Sequence, residues 1–377
     1  IEFIPYNKLE NIKQIGHGGF STVYSATWID GKRIYEFDTN LFKMVLSREP
    51  CTVALKCLTG ISNEPLEFFN EFKIHYECQL NRYSEDKYGI EIYGITYNSA
   101  EKEYLMVHEY ADKGDLRQYL STNFKDLDWK QKTKILCSIS DNLDYIHQTY
   151  VHGDFHTKNI LMISTKNITN FPYMIGDKLA VISLNIGDKI NVEPKISDLG
   201  LSRKVNESTT NKEIYGVVSF SAPEIFLGNQ PTKESDIYSL GVIMSEVSTG
   251  KPPFENISHQ TVSFKFNIVN GLRPRFAFGT PDFYIKLAER CMDNDPMKRP
   301  TAKEVYEQFQ EWEIILNKEQ EKLNEDQIKI KNKFLEADRI IPTLSTISHE
   351  DQDIISTCQS ISKLDISEKF NQTSKYI

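Results

Sequence analysis

The sequence has no apolar run long enough to span a bilayer, and no charged-then-apolar leader ending in small residues. The first absence argues against a membrane span; the second makes the cytoplasm the default compartment. An initiator methionine is also missing, since the chain opens Ile1-Glu2-Phe3, so the natural polypeptide is expected to extend further or to have been cut. Paired cysteines are lacking. Cys51, Cys57, Cys78, Cys137, Cys291 and Cys358 are scattered without metal-ligand spacing, which speaks for reduced thiols over a zinc site or disulfide framework. Basic excess is lacking too: 44 Lys and Arg against 53 Asp and Glu leave a net charge of -9. Nucleic acid, whose phosphates favour a basic surface, is therefore not an expected partner. No feature specifies an oligomeric state.

What the chain does have is length and apolar content. Its 377 residues, 40% hydrophobic, suit one large bilobal domain or two ordinary ones. The organising stretch is Val151 to Leu161, in which His152, Asp154 and Asn159 lie between apolar anchors. A carboxylate that orients a nucleophilic hydroxyl, followed five positions on by an amide oxygen that holds magnesium, is how a phosphoryl-transfer loop is written. Gly153 and the string His-Gly-Asp-x-His-x-x-Asn leave two classes open at this point, since the string also resembles the loop of aminoglycoside and choline phosphotransferases.

Upstream, Leu9–Gln14 and Ser21–Tyr24 read as strands flanking a glycine-rich turn at Gly16, Gly18 and Gly19, where small residues let backbone amides approach phosphate oxygens. Strand context, with no helix following the glycines, favours a kinase-type loop over a dinucleotide-binding turn. Val53-Ala54-Leu55-Lys56 is an apolar strand ending in one cation, and a helix-like stretch from Phe68 to about Leu80 offers Glu71 as its partner. The charged residues 30–48 between these motifs read as a mobile insert. Tyr104 to Ala111 is a strand running into a turn that opens a helix, and Trp129 to Gln148 has helical periodicity. Residues 163–193 read as an inserted extra hairpin. Asp198 in Asp198-Leu199-Gly200 can chelate magnesium, and the polar run Ser202 to Tyr215 suits a switchable loop.

Three later features have no duty in small-molecule phosphotransferases: Ser221-Ala222-Pro223-Glu224, Ser235-Asp236-Ile237-Tyr238-Ser239-Leu240-Gly241, and Arg299 in Asp295-Pro296-Met297-Lys298-Arg299-Pro300. With them, residues 9 to 313 resemble a eukaryotic protein kinase domain of the tyrosine-kinase-like group. The resemblance implies an α+β, bilobal protein kinase fold: a small, mainly antiparallel β N-lobe with one helix (about 9–108) and a larger, mainly helical C-lobe (about 112–313). It implies ATP and Mg2+ as cofactors and a protein substrate, with Ser/Thr favoured over Tyr. Asp154, Lys56 and Asn159 would be catalytic. Ile15, Gly16, Gly18, Gly19, Val23, Ala54, Lys56, Glu71, Leu161 and Asp198, with the main chain of Glu109 and Ala111, would bind the nucleotide, and Asn159 and Asp198 the metal. Glu224 and Arg299 would form a buried ion pair, and Asp236 would brace the catalytic loop.

Departures from the family pattern carry information. Gly153 replaces an arginine that usually pairs with a phosphorylated loop, so activity is expected not to depend strongly on loop phosphorylation. Gly153, Ser21 and Leu199 also motivate a rival from another class, a pseudokinase used as a binding module; retention of the lysine, the catalytic acid and both metal ligands argues against it. Outside the domain, residues 1–8 read as an N-terminal extension and 314–341 as a helical extension. Leu316, Leu323, Ile330 and Ala337 recur there every seven residues, though a solvated helix is favoured over a coiled coil. Residues 342–377, rich in Ser and Thr, read as a disordered tail.

Overall fold

The computed structural model describes residues 1–17, 21–38, 43–58, 65–80, 89–175, 178–205, 215–255, 257, 261–344 and 359–361. The chain forms two compact units, residues 1–114 with 161–195 and residues 115–160 with 196–377.

In the first unit the strands are β1 (Glu2–Phe3), β2 (Leu9–His17), β3 (Ser21–Asp38), β4 (Lys43–Leu58), β5 (Ile92–Asn98) and β6 (Glu103–Glu109), in sheet order β1-β5-β6-β4-β3-β2, with helix α1 (Pro65–Leu80) between β4 and β5. All neighbours pair antiparallel except β1 with β5. Alternation along the strands divides the side chains between two faces. Val53, Leu55, Cys57 and Val107 join Ile4, Leu9, Trp28 and Leu105 in one buried cluster, while Met106 packs with Phe68 of α1 and Ile92 in another. The first eight residues, read from the sequence as an N-terminal extension, add a strand to the sheet, where Glu2 is clamped by Arg48 at 2.6 Å and Arg33 at 3.4 Å.

The insert expected to be mobile between residues 30 and 48 is instead a continuation of the β3–β4 ladder, with Lys32 opposite Glu49 and Asp38 opposite Lys43. Ile34, Tyr35, Phe37 and Val45 favour extended backbone, and hairpin pairing satisfies their main-chain groups. The ladder breaks register only between Trp28 and Lys32. Gly31 sits at that break with φ +69°, and any Cβ there would collide with the Glu49 carbonyl, so this bulge admits only glycine.

In chain order the second unit begins with α2 (Leu116–Asn123), α3 (Trp129–His147) and β7 (Tyr150–Val151). Strands β8 (Ile160–Ile175) and β9 (Lys178–Ile196) then form the expected extra hairpin, which clusters with the first unit. Asp112 holds it there, accepting from Ser164 N at 2.7 Å and Ser164 Oγ at 2.6 Å. The second unit continues through β10 (Arg203–Lys204), β11 (Tyr215–Gly216), α4 (Pro223–Phe226), α5 (Lys233–Thr249), α6 (Val262–Val269), α7 (Asp282–Cys291), α8 (Ala302–Asn317), α9 (Glu325–Asp338) and β12 (Gln359–Ser360).

Helix α5 is buried from Ser235 to Ser248, as expected of a helix that is apolar around most of its circumference. Several of its buried polar groups find partners. Ser239 Oγ donates to Phe220 O at 2.9 Å, and Glu246 accepts both prongs of Arg117 at 2.8 and 3.1 Å and Thr157 Oγ1 at 3.1 Å. The sevenfold repeat beyond residue 313 does not run along one helix, because α8 ends at Asn317 and α9 starts afresh under an Asn324–Gln327 capping box. Phe334 of α9 is fully buried against Trp129, Phe283 and Trp312. Within 342–377, expected to lack structure, the described residues 359–361 include the short strand β12, and Ile361 is buried.

Candidate active site

Two constellations arise, one in each unit. In the first, β4 alternates so that Val53, Leu55 and Cys57 are buried in the core while Ala54 and Lys56 occupy the other face. Val23 is the register partner of Lys56 and shares that face, and Gly16 of β2 is opposite Val23. Ile15 is about half exposed, 48%. Gly18 and Gly19 lie outside the described residues. Lys56 Nζ reaches Glu71 Oε1 at 2.6 Å, which selects Glu71 over Glu67 and Glu77, the other glutamates of α1; His75 Nε2 stands 3.8 Å from the same oxygen. Glu71 is buried, so its charge depends on this pairing.

Glu109 closes β6, its amide donating to Glu91 O at 2.8 Å, and Ala111 O accepts from Gly114 N at 3.2 Å to form the following turn. Two further bonds, Lys113 N to Met162 O and Met162 N to Gly114 O, tie that turn to the strand carrying Leu161.

In the second unit, α3 starts with an Asp128–Gln131 capping box, buries Ile135, Ile139, Leu143 and Ile146, and delivers the chain through β7 into the loop 152–159. The loop backbone is fixed by one carboxylate. Asp236 accepts from His152 N at 2.8 Å and Gly153 N at 3.0 Å, and lies 2.9 Å from His147 Nε2, filling the bracing place expected of it. His152 is fully buried with Nε2 3.1 Å from Ser197 O, and burial lowers its pKa, so the ring is neutral.

Asp154 has both oxygens placed: Oδ1 accepts from Val217 N at 3.2 Å, and Oδ2 is 3.5 Å from His156 Nε2. His156 caps the short turn Thr157–Asn159 by accepting at Nδ1 from Lys158 N, which leaves the proton of a neutral ring on the nitrogen facing Asp154. Sequence reasoning assigned His156 no role, although it stands in the loop string. Asn159 Nδ2 donates to Asp154 O at 2.9 Å, and Asn159 O accepts from Ser197 N at 2.8 Å, linking this loop to the segment that carries Asp198. Asp198 has φ +61°, a left-handed backbone that a non-glycine residue adopts only under local constraint. The structure thus brings Asp154, Asn159 and the segment of Asp198 into one hydrogen-bonded group, and Lys56 with Glu71 into another.

Downstream the chain is anchored by Arg299, which meets Glu224 through both nitrogens at 2.7 and 2.8 Å, also donates to Asp293 O and Glu234 O, and lies over the Tyr238 ring at 5.2 Å. Among the described residues no helix is long and apolar enough to cross a membrane.

Residues 9–309 match the family model described as protein tyrosine and serine/threonine kinase. Among similar proteins, "Probable serine/threonine-protein kinase roco5" of Dictyostelium discoideum is 28% identical over 317 residues, covering 80% of this chain and 10% of that protein. "Dual specificity protein kinase splA" of the same organism is 25% identical over 316 residues, covering 82% of this chain and 12% of that protein. The chain therefore spans only about a tenth of the length of these two relatives.

Proposed function

Because the chain belongs to the protein tyrosine and serine/threonine kinase family, we propose that it transfers the γ-phosphoryl group of ATP to a protein hydroxyl, Ser or Thr in preference to Tyr. The observation that carries this reading is the loop 152–159, whose backbone is held by Asp236 so that Asp154 and Asn159 are locked to each other through the Asn159 Nδ2 bond. In the transfer, the substrate hydroxyl oxygen attacks the γ-phosphorus, the bond to the β–γ bridging oxygen breaks, ADP leaves, and the hydroxyl proton passes to the Asp154 carboxylate.

Lys56 supplies a point charge to the nucleotide phosphates, and Glu71 holds its ammonium in place through the 2.6 Å ion pair. Val23 and Ala54, on the same sheet face as Lys56, and Leu161 line the adenine, while main-chain groups of Glu109 and Ala111 hydrogen-bond its edge. Ile15, Gly16, Gly18 and Gly19 cover the phosphates. Asn159 and Asp198 fit a Mg2+ ion because both offer hard oxygen donors, and the Asn159 nitrogen is already committed to Asp154 O, which leaves the amide oxygen to ligate. When bound, the ion neutralises charge on the β- and γ-phosphates.

Preference for Ser and Thr rests on the printed names of the relatives, one a serine/threonine kinase and one of dual specificity. The cytoplasm suits an ATP-dependent domain in which Cys51, Cys57, Cys78, Cys137 and Cys291 are thiols.

The test is magnesium-dependent transfer of labelled γ-phosphate to a generic protein, followed by phosphoamino-acid analysis. Asp154→Asn is expected to lower the rate by about 10²–10⁴-fold. ATP binding without any transfer by the unaltered chain would replace this reading with that of a pseudokinase.

A further inference from the structure

Beside Asp154 the chain's own C-terminal segment is docked as a strand. β12 pairs antiparallel with β11, Tyr215 opposite Ser360 and Gly216 opposite Gln359. Side chains alternate along a strand, and the next residue, Ile361, is only 5% exposed while Ser360 faces solvent. A Cβ built on Gly216 would stand 3.4 Å from Ile361 Cδ1, 3.6 Å from Asp154 Oδ1 and 3.6 Å from Ser221 Oγ, so the isoleucine and the carboxylate flank the same glycine. Ile361 lines one pocket with Asp154, Val217, Phe220, Ala222 and Ile225. The strand it docks on is itself tied to Asp154, through Val217 N at 3.2 Å.

Main-chain pairing on a strand edge with one side chain pocketed is how an extended peptide is bound. The bound segment is a poor acceptor, because the side chain placed next to Asp154 is aliphatic and has no hydroxyl. Resting on the reading of the domain as a protein kinase, we propose that residues 359–361 are an intramolecular competitor of the protein substrate, holding its docking edge at Tyr215–Gly216 until it displaces them. The segment belongs to the same chain, so it meets this edge intramolecularly, at an effective concentration of about millimolar. A contact of three residues can therefore be populated in the chain and still yield to substrate.

The experiment uses the full chain carrying Ile361→Asp, a change confined to the docked segment and outside the catalytic group. A second negative charge is disfavoured in a pocket already lined by Asp154 and Asp236, so KM for a protein substrate is expected to fall about three- to tenfold, with kcat and the KM for ATP unchanged. The peptide Thr357–Leu364, added to that variant, should raise KM for protein and not for ATP; the same peptide with Asp in place of Ile should do nothing. Fluorescence anisotropy of the labelled peptide on the Ile361→Asp chain reads docking without catalysis. Saturable binding there supports the competitor even if no phosphate is transferred, a result that would sink only the kinase reading. Normal transfer with equal KM in both chains and no peptide binding would overturn the competitor and leave the kinase reading standing.

Discussion

Arg299–Glu224 and Lys56–Glu71 are both buried ion pairs, and they are built differently. Arg299 meets Glu224 with two nitrogens and spends further donors on Asp293 O and Glu234 O over the Tyr238 ring. Lys56 meets Glu71 at 2.6 Å with a side chain 12% exposed, and it shares a sheet face with Val23 and Ala54. A guanidinium fork with several of its donors engaged is a structural clamp, while an ammonium is a compact point charge, the kind that suits phosphate oxygens. On the proposed function, the same class of interaction serves stability in one unit and chemistry in the other.

The sharpest way to break that comparison is at the clamp. Arg299→Leu leaves Glu224 buried without its partner and should cost about 3–5 kcal/mol in denaturant unfolding. The double change Arg299→Met, Glu224→Met should recover most of that loss, because two apolar side chains leave no buried charge behind. At the other pair the expectation reverses. Lys56→Met should lower phosphoryl transfer by about 10²–10³-fold with a smaller change in unfolding midpoint, and Lys56→Met with Glu71→Met should restore none of the activity. Rescue by that double variant would show the lysine to be a clamp as well.

Lys132 sharpens the contrast from a third side. It is fully buried, its Nζ makes no hydrogen bond among the described residues, and it lies 4.0 Å from the Phe124 ring and 5.1 Å from that of Trp129. Burial pushes its pKa down to about 7, against the pull of Asp338 and Asp128, while the ring faces favour the charged form. The unfolded chain then binds more protons than the folded one between about pH 7 and the ordinary lysine value of 10.5. Folding stability gains from this group as pH rises through that window. Lys132→Met should melt several degrees higher than the unaltered chain at pH 6, and the difference should shrink toward pH 10. A constant difference would mean that the rings keep the ammonium charged. The smallest effect is expected in the polar loop: replacing Ser208, Thr209 and Thr210 by Ala and Tyr215 by Phe should leave most transfer activity, since no arginine stands at position 153. Near-complete loss of activity would refute that expectation.

Much of this was legible in the residues. Strand period and a single terminal cation announced β4 and Lys56, and helical period announced α3 and the loop it feeds. The long-range partners Arg299–Glu224 and Asp236 with the loop amides were legible through the family resemblance, whose motifs keep a fixed order. The β3–β4 extension was not, because charged residues interleaved with Ile34, Tyr35 and Phe37 look like a surface loop until the partner strand is known. Neither was the docked tail: three residues in a Ser- and Thr-rich stretch have no period of their own, and their strand exists only against β11. Arg117 and Glu246, 129 positions apart, belong to the same class of signal, visible only once α2 and α5 are packed.

Gly153 has φ +83°, and a Cβ on it would sit 3.1 Å from Leu201 O. In a left-handed backbone an L side chain carries a strain of about 1–2 kcal/mol that glycine does not. An arginine placed at this position would carry that strain from the outset. Glycine at position 153 is thus a matter of backbone geometry as well as of a missing charge: any side chain introduced there meets the left-handed φ before it can meet a partner.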